Sequence, residues 1–381
     1  MPVQAREQKE KRGKHMAGSI FGKQFSISTW GESHGKGLGV VIDGCPAGLP
    51  LEEGDIQAYL DRRKPGQSRY TTSRKEGDEA EILSGVFEGK TTGTPISILV
   101  RNTSQRSQDY SEIASCYRPG HADYTYDCKY GFRDYRGGGR SSGRETIGRV
   151  AAGAVAAKIL KELGITICTY TRSIGPVEID DSRFDREEIG KNAFSMPDAE
   201  AAEKAAAYTK QGMEEQNSVG GVIECVVTGM PAGAGDPCFE KLDANLAKAI
   251  LSIGAVKGFE IGDGFRAARA RGTENNDAFV NRGNGIEKET NHAGGVLGGI
   301  SDGSELVFRA AIKPTPSVAA VQHTVSKAGE NRELSIHGRH DPVIVPRAVV
   351  VVEAMTALTL VDALFAGMSA KMDNVKKIWG R

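Results

Sequence analysis

A pentapeptide that occurs twice constrains this chain most. Gly44-Cys45-Pro46-Ala47-Gly48 returns 185 residues later, from 44 to 229, as Gly229-Met230-Pro231-Ala232-Gly233. At the same offset Ser33 meets Ser218 and Gly35 meets Gly220. Each copy has a β-branched apolar run before the Pro-Ala-Gly turn. A helical pattern follows, carrying Asp55-Ile56 in one copy and Leu242-Asp243 in the other. A chain that repeats a strand–turn–helix unit folds into two similar halves. We expect one domain over 16–381, with halves of about 16–212 and 213–381 joined near Gly212. The halves differ in chemistry, because His34 in the first is matched by Val219 in the second.

Short apolar runs predict strands over 25–30, 38–42, 96–100, 165–170, 222–227 and 306–312. Helical periodicity predicts helices over 52–62, 143–163, 197–210, 239–253 and 349–367. The elements are mixed and duplicated, and long glycine-rich charged loops separate them. Loops of that length inside a compact domain are usually functional. The most apolar stretch, 348–368, contains Glu353 and Asp362, so it reads as a buried helix and not a membrane span.

Lys and Arg number 49 and Asp and Glu 49, a balance that argues against broad nucleic-acid binding. The 48 glycines, about 13% against a usual ~7%, cluster in loops beside charged residues. The six cysteines form no CxxC pair, which fits reduced thiols in the cytoplasm and no metal site. Residues 1–15 are polar and basic, lack the apolar core of a signal peptide, and read as a disordered arm.

Two neighbouring runs carry the chemistry. Gly137-Gly138-Gly139-Arg140-Ser141-Ser142-Gly143-Arg144-Glu145 reads as a mould for an anion. Its glycines let the backbone approach a ligand, and Ser142 to Glu145 is spaced as a capping box that opens a helix. A glycine loop at a helix N-terminus favours phosphate. Just upstream, Arg118-Pro119-Gly120-His121-Ala122-Asp123 supplies a histidine suited to proton transfer.

Other runs add to this. Gly31-Glu32-Ser33-His34-Gly35 matches the G-x-S-x-G spacing of serine hydrolases. That elbow needs a helix after the turn, and 36–42 reads as a strand, so a turn presenting His34 to a ligand fits better. The basic stretch 62–69, which includes Arg63 and Arg69 and is followed by Arg74-Lys75, fits anion binding. Lys313-Pro314-Thr315-Pro316-Ser317 joins a rigid backbone to a lysine and hydroxyls. His337-Gly338-Arg339-His340-Asp341-Pro342 lacks a third metal ligand at a recognised spacing. Asn291-His292-Ala293-Gly294-Gly295, with Gly298-Gly299, forms another loop able to approach a flat ligand. So many cationic clusters fit two anionic ligands stacked together.

In these runs the chain, from about residue 16 to its end, resembles the chorismate synthase family. The five runs that carry the likeness begin at Gly31, Arg118, Asp134, Asn291 and Gly338 and follow one another in the family's order. The resemblance implies an α+β fold with a duplicated core, helices sandwiched between two antiparallel sheets, long active-site loops and a homotetramer. It implies a lyase of the shikimate pathway, and so of aromatic amino-acid biosynthesis. That enzyme converts 5-enolpyruvylshikimate 3-phosphate to chorismate by anti-1,4-elimination of phosphate, with reduced FMN required. NADPH is the implied source of reducing equivalents, and whether the chain reduces its own flavin stays open.

By matching position, the resemblance implies His34 near the leaving phosphate, His121 near flavin N1 and Asp341 near N5. It implies FMN contacts at Arg140, Ser141, Ser142, Gly254, Ala255, Gly298, Lys313, Pro314, Thr315, Pro316, Ser317 and Arg339. It places substrate or NADP anions at Arg63 and Arg69. At Gly254 a backbone contact is implied, since glycine offers no side chain.

Overall fold

The computed structural model describes residues 18–71, 76–103, 114–283, 285–336 and 341–380. The N-terminal arm, Arg74-Lys75 and the run His337 to His340, with Arg339, lie outside the described residues.

Two five-stranded antiparallel sheets enclose a layer of helices. The first has strand order β1-β2-β3-β7-β4. Its strands are β1 (Ile20–Phe21), β2 (Ser26–Gly31), β3 (Gly37–Asp43), β4 (Ala80–Ser84) and β7 (Ile96–Arg101), with a small hairpin of β5 (Val86–Phe87) and β6 (Lys90–Thr91) between the last two. Alternate residues face the core, as the pleat requires. Leu38, Val40 and Ile42 of β3 and Ile96, Ile98 and Val100 of β7 are buried side by side.

The second sheet has order β11-β16-β10-β8-β9. It comprises β8 (Thr166–Ile174), β9 (Val177–Glu178), β10 (Gly221–Thr228), β11 (Val256–Ile261) and β16 (Leu306–Ile312). Small hairpins hang outside it: β12–β13 (Phe279–Asn281, Ile286–Lys288), β14–β15 (Val296–Leu297, Ile300–Ser301) and β17–β18 (Gln322–Val325, Asn331–Leu334). Its inner face is made by Ile223, Cys225 and Val227 against Leu306, Phe308 and Ala310.

Between the sheets lie α1 (Glu53–Arg63), α3 (Thr146–Glu162), α5 (Leu242–Leu251) and α7 (Val345–Ala366). Helices α2 (Asp123–Tyr130), α4 (Ala199–Glu214), α6 (Gly272–Asn275) and α8 (Met372–Trp379) complete the chain. Helix α7 is long and apolar enough to cross a membrane. Here it is buried along most of its length, packed on α3, α5, β8 and β10. Its two acids are used locally. Glu353 takes a two-pronged bond from Arg62 at 3.1 and 2.5 Å, and Asp362 accepts from the backbone N–H groups of Lys23, Gln24 and Phe25.

The two sheets share a strand order. Sequence β2-β3-β7-β4 in one sheet has β8-β10-β16-β11 as its counterpart in the other. Helix α3 follows the first set and α7 the second, and the two helices pack on each other. Strands β8 and β9 precede Gly212, so the second sheet draws on chain from both sides of that residue.

All six predicted strands and all five predicted helices form, with ends shifted by a few residues. Sequence reading missed the edge strands β4 and β11 and helices α2 and α8.

Candidate active site

The two catalytic-looking runs meet in one cleft of about 520 Å³, within the usual range for small-molecule sites. Among the described residues, eight cationic side chains line it (Arg63, Arg118, Arg140, Arg144, Arg149, Lys257, Lys313, Arg347) against three carboxylates (Glu76, Glu145, Asp341). In a chain of zero formal charge this concentrates positive potential at one place.

Arg118 to His121 forms a turn. His121 N–H donates to the Arg118 carbonyl at 3.2 Å, Pro119 and Gly120 occupy the corner, and Gly120 has φ of 67°. Pro then Gly with positive φ is the chemistry of a type II turn. The turn delivers His121 to the cleft just before α2 begins at Asp123. Asp123, only 4% exposed, gathers the surrounding cations. It accepts from Arg118 Nε and Nη2 at 2.7 Å each and from the Arg118 backbone N–H at 3.1 Å. Its Oδ1 lies 2.8 Å from Arg133 Nη1 and 3.0 Å from His121 Nδ1. Burial opposes ionisation of Asp123, but the hydrogen bonds and charges of Arg118 and His121 outweigh it and hold the carboxyl well below the usual range.

His34 stands on the turn after β2, with Nδ1 3.2 Å from Ser33 Oγ. It packs directly on Gly137, where a Cβ would lie 2.4 Å from His34 Nδ1. Gly137 is therefore required by a close approach of the second run to the first histidine. Beyond it the run forms two single 3₁₀ turns, Gly139–Ser141 and Gly143–Glu145, and α3 starts at Thr146. Only half of the expected capping box forms. Ser142 Oγ accepts from the Arg144 N–H, while Glu145 turns away to pair with Arg149 at 2.9 Å. Arg140 donates to the Thr29 hydroxyl at 2.6 Å and to the carbonyls of Thr29 and Gly31 at 3.2 Å, clamping the loop onto β2.

Arg63 lies at the end of α1, beneath the cleft, and is 2% exposed. It donates to Asp78 at 2.8 Å, to the Gly143 carbonyl at 3.0 Å and to Thr146 Oγ1 at 3.3 Å. Burial and the neighbouring Arg347 charge pull its guanidinium down to about 10, so it stays cationic at neutral pH. Asp78 also accepts from Arg144 at 3.0 Å, and Glu76 pairs with the same Arg144 nitrogen. Arg69 does not reach the lining. It stacks on the Tyr70 ring and donates to its hydroxyl.

The third wall comes from the other half. Lys313 Nζ donates to the Gly120 carbonyl at 2.7 Å, locking the run after β16 to the His121 turn. The Thr315 carbonyl accepts from Ser218 Oγ at 2.7 Å. Ser218 is the repeat counterpart of Ser33, so that copy of the turn is tied to a residue that lines the cleft. Lys313, Thr315, Pro316 and Ser317 line the cleft, while Pro314 lies within the same run but off the lining. Gly254 and Ala255 line it too, with Ala255 in the left-handed region at φ of 71°. Asp341 enters from the segment before α7 and pairs with Arg347 at 2.5 Å.

The cleft thus gathers His34, His121, Asp341, Arg63, Arg140, Ser141, Ser142, Gly254, Ala255 and most of the Lys313 run. Gly298, at the β14–β15 turn, is not among its lining residues, and Arg339 lies outside the described residues. The Asn291 loop does not line it either. His292 instead pairs with Asp263 at 2.8 Å, fixing the segment after β11. Sequence reading missed Arg149, Lys257, Glu76 and Arg347. Arg149 and Arg347 sit within otherwise apolar helical stretches, where period and composition gave no sign of a site.

Two unpartnered donors suit a phosphate ligand such as FMN. Thr315 Oγ1 and Arg144 Nη2 are buried without a hydrogen-bond partner. At 137 and 138 a Cβ would meet His34 and Ser142, so these glycines serve close packing within the loop. Among the described residues no group of His, Cys, Asp and Glu is arranged to hold a metal.

Comparison with known proteins gives a consistent result. A profile of the family described as chorismate synthase matches residues 25–365. A chorismate synthase of Lachnospira eligens is 71% identical over 96% of this chain and 100% of its own. One from Agathobacter rectalis is 68% identical over 94% and 98%. One from the more distant Methanosarcina barkeri is 54% identical over 91% and 96%. A crystal structure of chorismate synthase superposes with a TM-score of 0.74 at 36% identity, over 94% of this chain and 96% of the other.

Proposed function

The chain belongs to the chorismate synthase family, whose members are lyases, and from that premise we propose that its cleft converts 5-enolpyruvylshikimate 3-phosphate to chorismate beside reduced FMN. One observation carries the reading. His34, His121 and Asp341, far apart in sequence, converge in a cleft lined, among the described residues, by eight cationic side chains. The substrate bears a phosphate and two carboxylates, and the cofactor a second phosphate. That much negative charge needs such a lining to offset its own repulsion.

Reduced FMN, when bound, would supply the electron density that the cleavage of the C–O bond to phosphate needs, with no net redox change. The chain's residues do the rest. His34, held by Ser33 and Gly137, protonates the departing phosphate. His121 holds a proton on the flavin N1 side. Asp341, oriented by Arg347, relays the ring proton near N5. Arg140, Ser141, Ser142, Gly254, Ala255 and the Lys313 run hold the cofactor, and Thr315 Oγ1 has a free donor for it. Arg63 supports substrate anions from beneath as a fixed charge. The same reading extends to NADPH as a source of reducing equivalents, a shikimate-pathway role, a cytoplasmic site and a homotetramer. Exposed Phe239, Phe265 and Phe279 are of the kind that subunit contacts cover.

Anaerobic incubation with dithionite-reduced FMN and the enolpyruvyl substrate tests the proposal. Phosphate release that needs reduced flavin and is matched by chorismate formation supports it. Absence of phosphate release with properly folded protein overturns it.

A further inference from the structure

We infer that Asp123 is a positioning residue for His121: it keeps the Nδ1 proton in place and makes Nε2 the nitrogen that exchanges protons with the cleft. This rests on the reading of His121 as a proton carrier. Nδ1 has two neighbours at 3.0 Å, Asp123 Oδ1 and Arg118 Nη2. They demand opposite tautomers. A carboxylate only accepts, so it needs Nδ1–H. A guanidinium only donates, so it needs a lone pair on Nδ1.

The geometry settles the competition. Arg118 Nη2 gives one N–H to Asp123 Oδ1 at 2.7 Å and Nε binds Oδ2 at the same distance, so only the second N–H of Nη2 could reach Nδ1. That two-pronged pair fixes the guanidinium on the carboxylate. A lone pair on Nδ1 would then face the lone pairs of Oδ1, whereas Nδ1–H gains a charge-assisted bond. The remaining charges around the ring do not reverse this. Arg133 pairs with Asp123 Oδ1 at 2.8 Å and with Asp127 at 3.3 Å, and Lys327 also pairs with Asp127. Lys313 is bound to the Gly120 carbonyl. With Nδ1–H held by Asp123, a proton taken up or released by His121 moves at Nε2. The ring then alternates between neutral and cationic without turning over.

The arrangement also predicts the effect of removing the charge. Asp123→Asn replaces an acceptor by an amide that can donate to Nδ1, and it removes the anion that stabilises imidazolium. The protein is labelled with ¹⁵N-histidine, and the His121 signals are assigned by their loss in His121→Gln. Long-range ¹H–¹⁵N correlation spectra across pH then read the tautomer directly. In the unsubstituted protein, neutral His121 is expected to carry its proton on Nδ1. In Asp123→Asn the proton is expected on Nε2.

The measurement on the unsubstituted protein needs no variant to fold. A neutral His121 protonated on Nε2 there overturns the inference. So does an unchanged tautomer in a folded Asp123→Asn. Turnover is read separately. A kcat lower by ~10²-fold or more at unchanged KM is expected. If the tautomer shifts but kcat does not, the role given to His121 in turnover fails while the positioning by Asp123 stands.

Discussion

Gly137 lies so close to His34 that a Cβ added there would stand 2.4 Å from Nδ1 and 2.5 Å from Cε1 of the ring. The loop carrying the glycines is pinned to β2 by Arg140, so it has little room to retreat. The imidazole must move instead. Gly137→Ala is therefore expected to displace His34 while the fold persists. Misplacement of a catalytic group by ~1 Å commonly costs ~10²-fold in rate, and a loss of that order in turnover is expected. Steady-state rates beside thermal unfolding check this. An active variant would show that His34 tolerates another position.

Arg63 is a buried cation whose partner, Asp78, is also buried. Removing Arg63 leaves Asp78 paired only with Arg144, so the cost lies at or below the ~3–5 kcal/mol of a fully broken buried pair. Arg63→Ala is expected to lower unfolding free energy by up to that amount in urea titration. The loss should be nearly independent of salt, because ions do not screen a pair sealed from solvent. A strongly salt-dependent loss would indicate that Arg63 reaches water.

Much of the fold could be read from periodicity. Short apolar runs marked β3 and β7, and Ala-rich helical spacing marked α3. The repeat of Pro-Ala-Gly turns pointed to duplication before any coordinates. Strands β4 and β11 escaped notice because edge strands need no second apolar face, and Glu81, Lys257 and Glu260 interrupt their pattern. Helix α2 reads Asp-Tyr-Thr-Tyr-Asp-Cys-Lys-Tyr, nearly all weak helix formers, and tertiary contacts override propensity there. At the site, the glycine and histidine runs were legible because close approach and proton transfer demand particular residue types. Their partners were not. Lys313 meets the carbonyl of Gly120, 193 residues away, and Arg140 spends its donors on β2 rather than on open space. A linear sequence shows that a cation is present, and only the packed chain shows which cations are already neutralised.

Asp123 predicts an acid-side signature. Its folded pKa lies below the ~3.9 of an unfolded aspartate. The native state therefore releases this proton more readily than the unfolded chain. The resulting stabilisation is complete above ~4 and fades as pH falls through the lower native value. Stability measured by urea unfolding from pH 6 downward should drop on the acid side. Asp123→Asn should be less stable at neutral pH and show a shallower acid slope. Parallel slopes for the two proteins would mean that other carboxylates carry the acid sensitivity.

Helices α3 and α7 cross at Gly153 and Ala354. A Cβ on Gly153 would fall 2.3 Å from the Ala354 Cβ and 2.5 Å from its Cα. The second contact is with backbone, so no rotamer change relieves it and the helices would have to separate. Separation opens the layer that both sheets pack against, since α3 rests on β3 and α7 on β8 and β10. Alanine gains up to ~1 kcal/mol over glycine in helix propensity. Overpacking in a dense core costs ~1–3 kcal/mol, and here it strikes the central helix pair. Gly153→Ala is therefore expected to lower stability despite its better propensity, by roughly 1–2 kcal/mol in urea unfolding. Equal or greater stability would show that the two helices can slide apart at no cost.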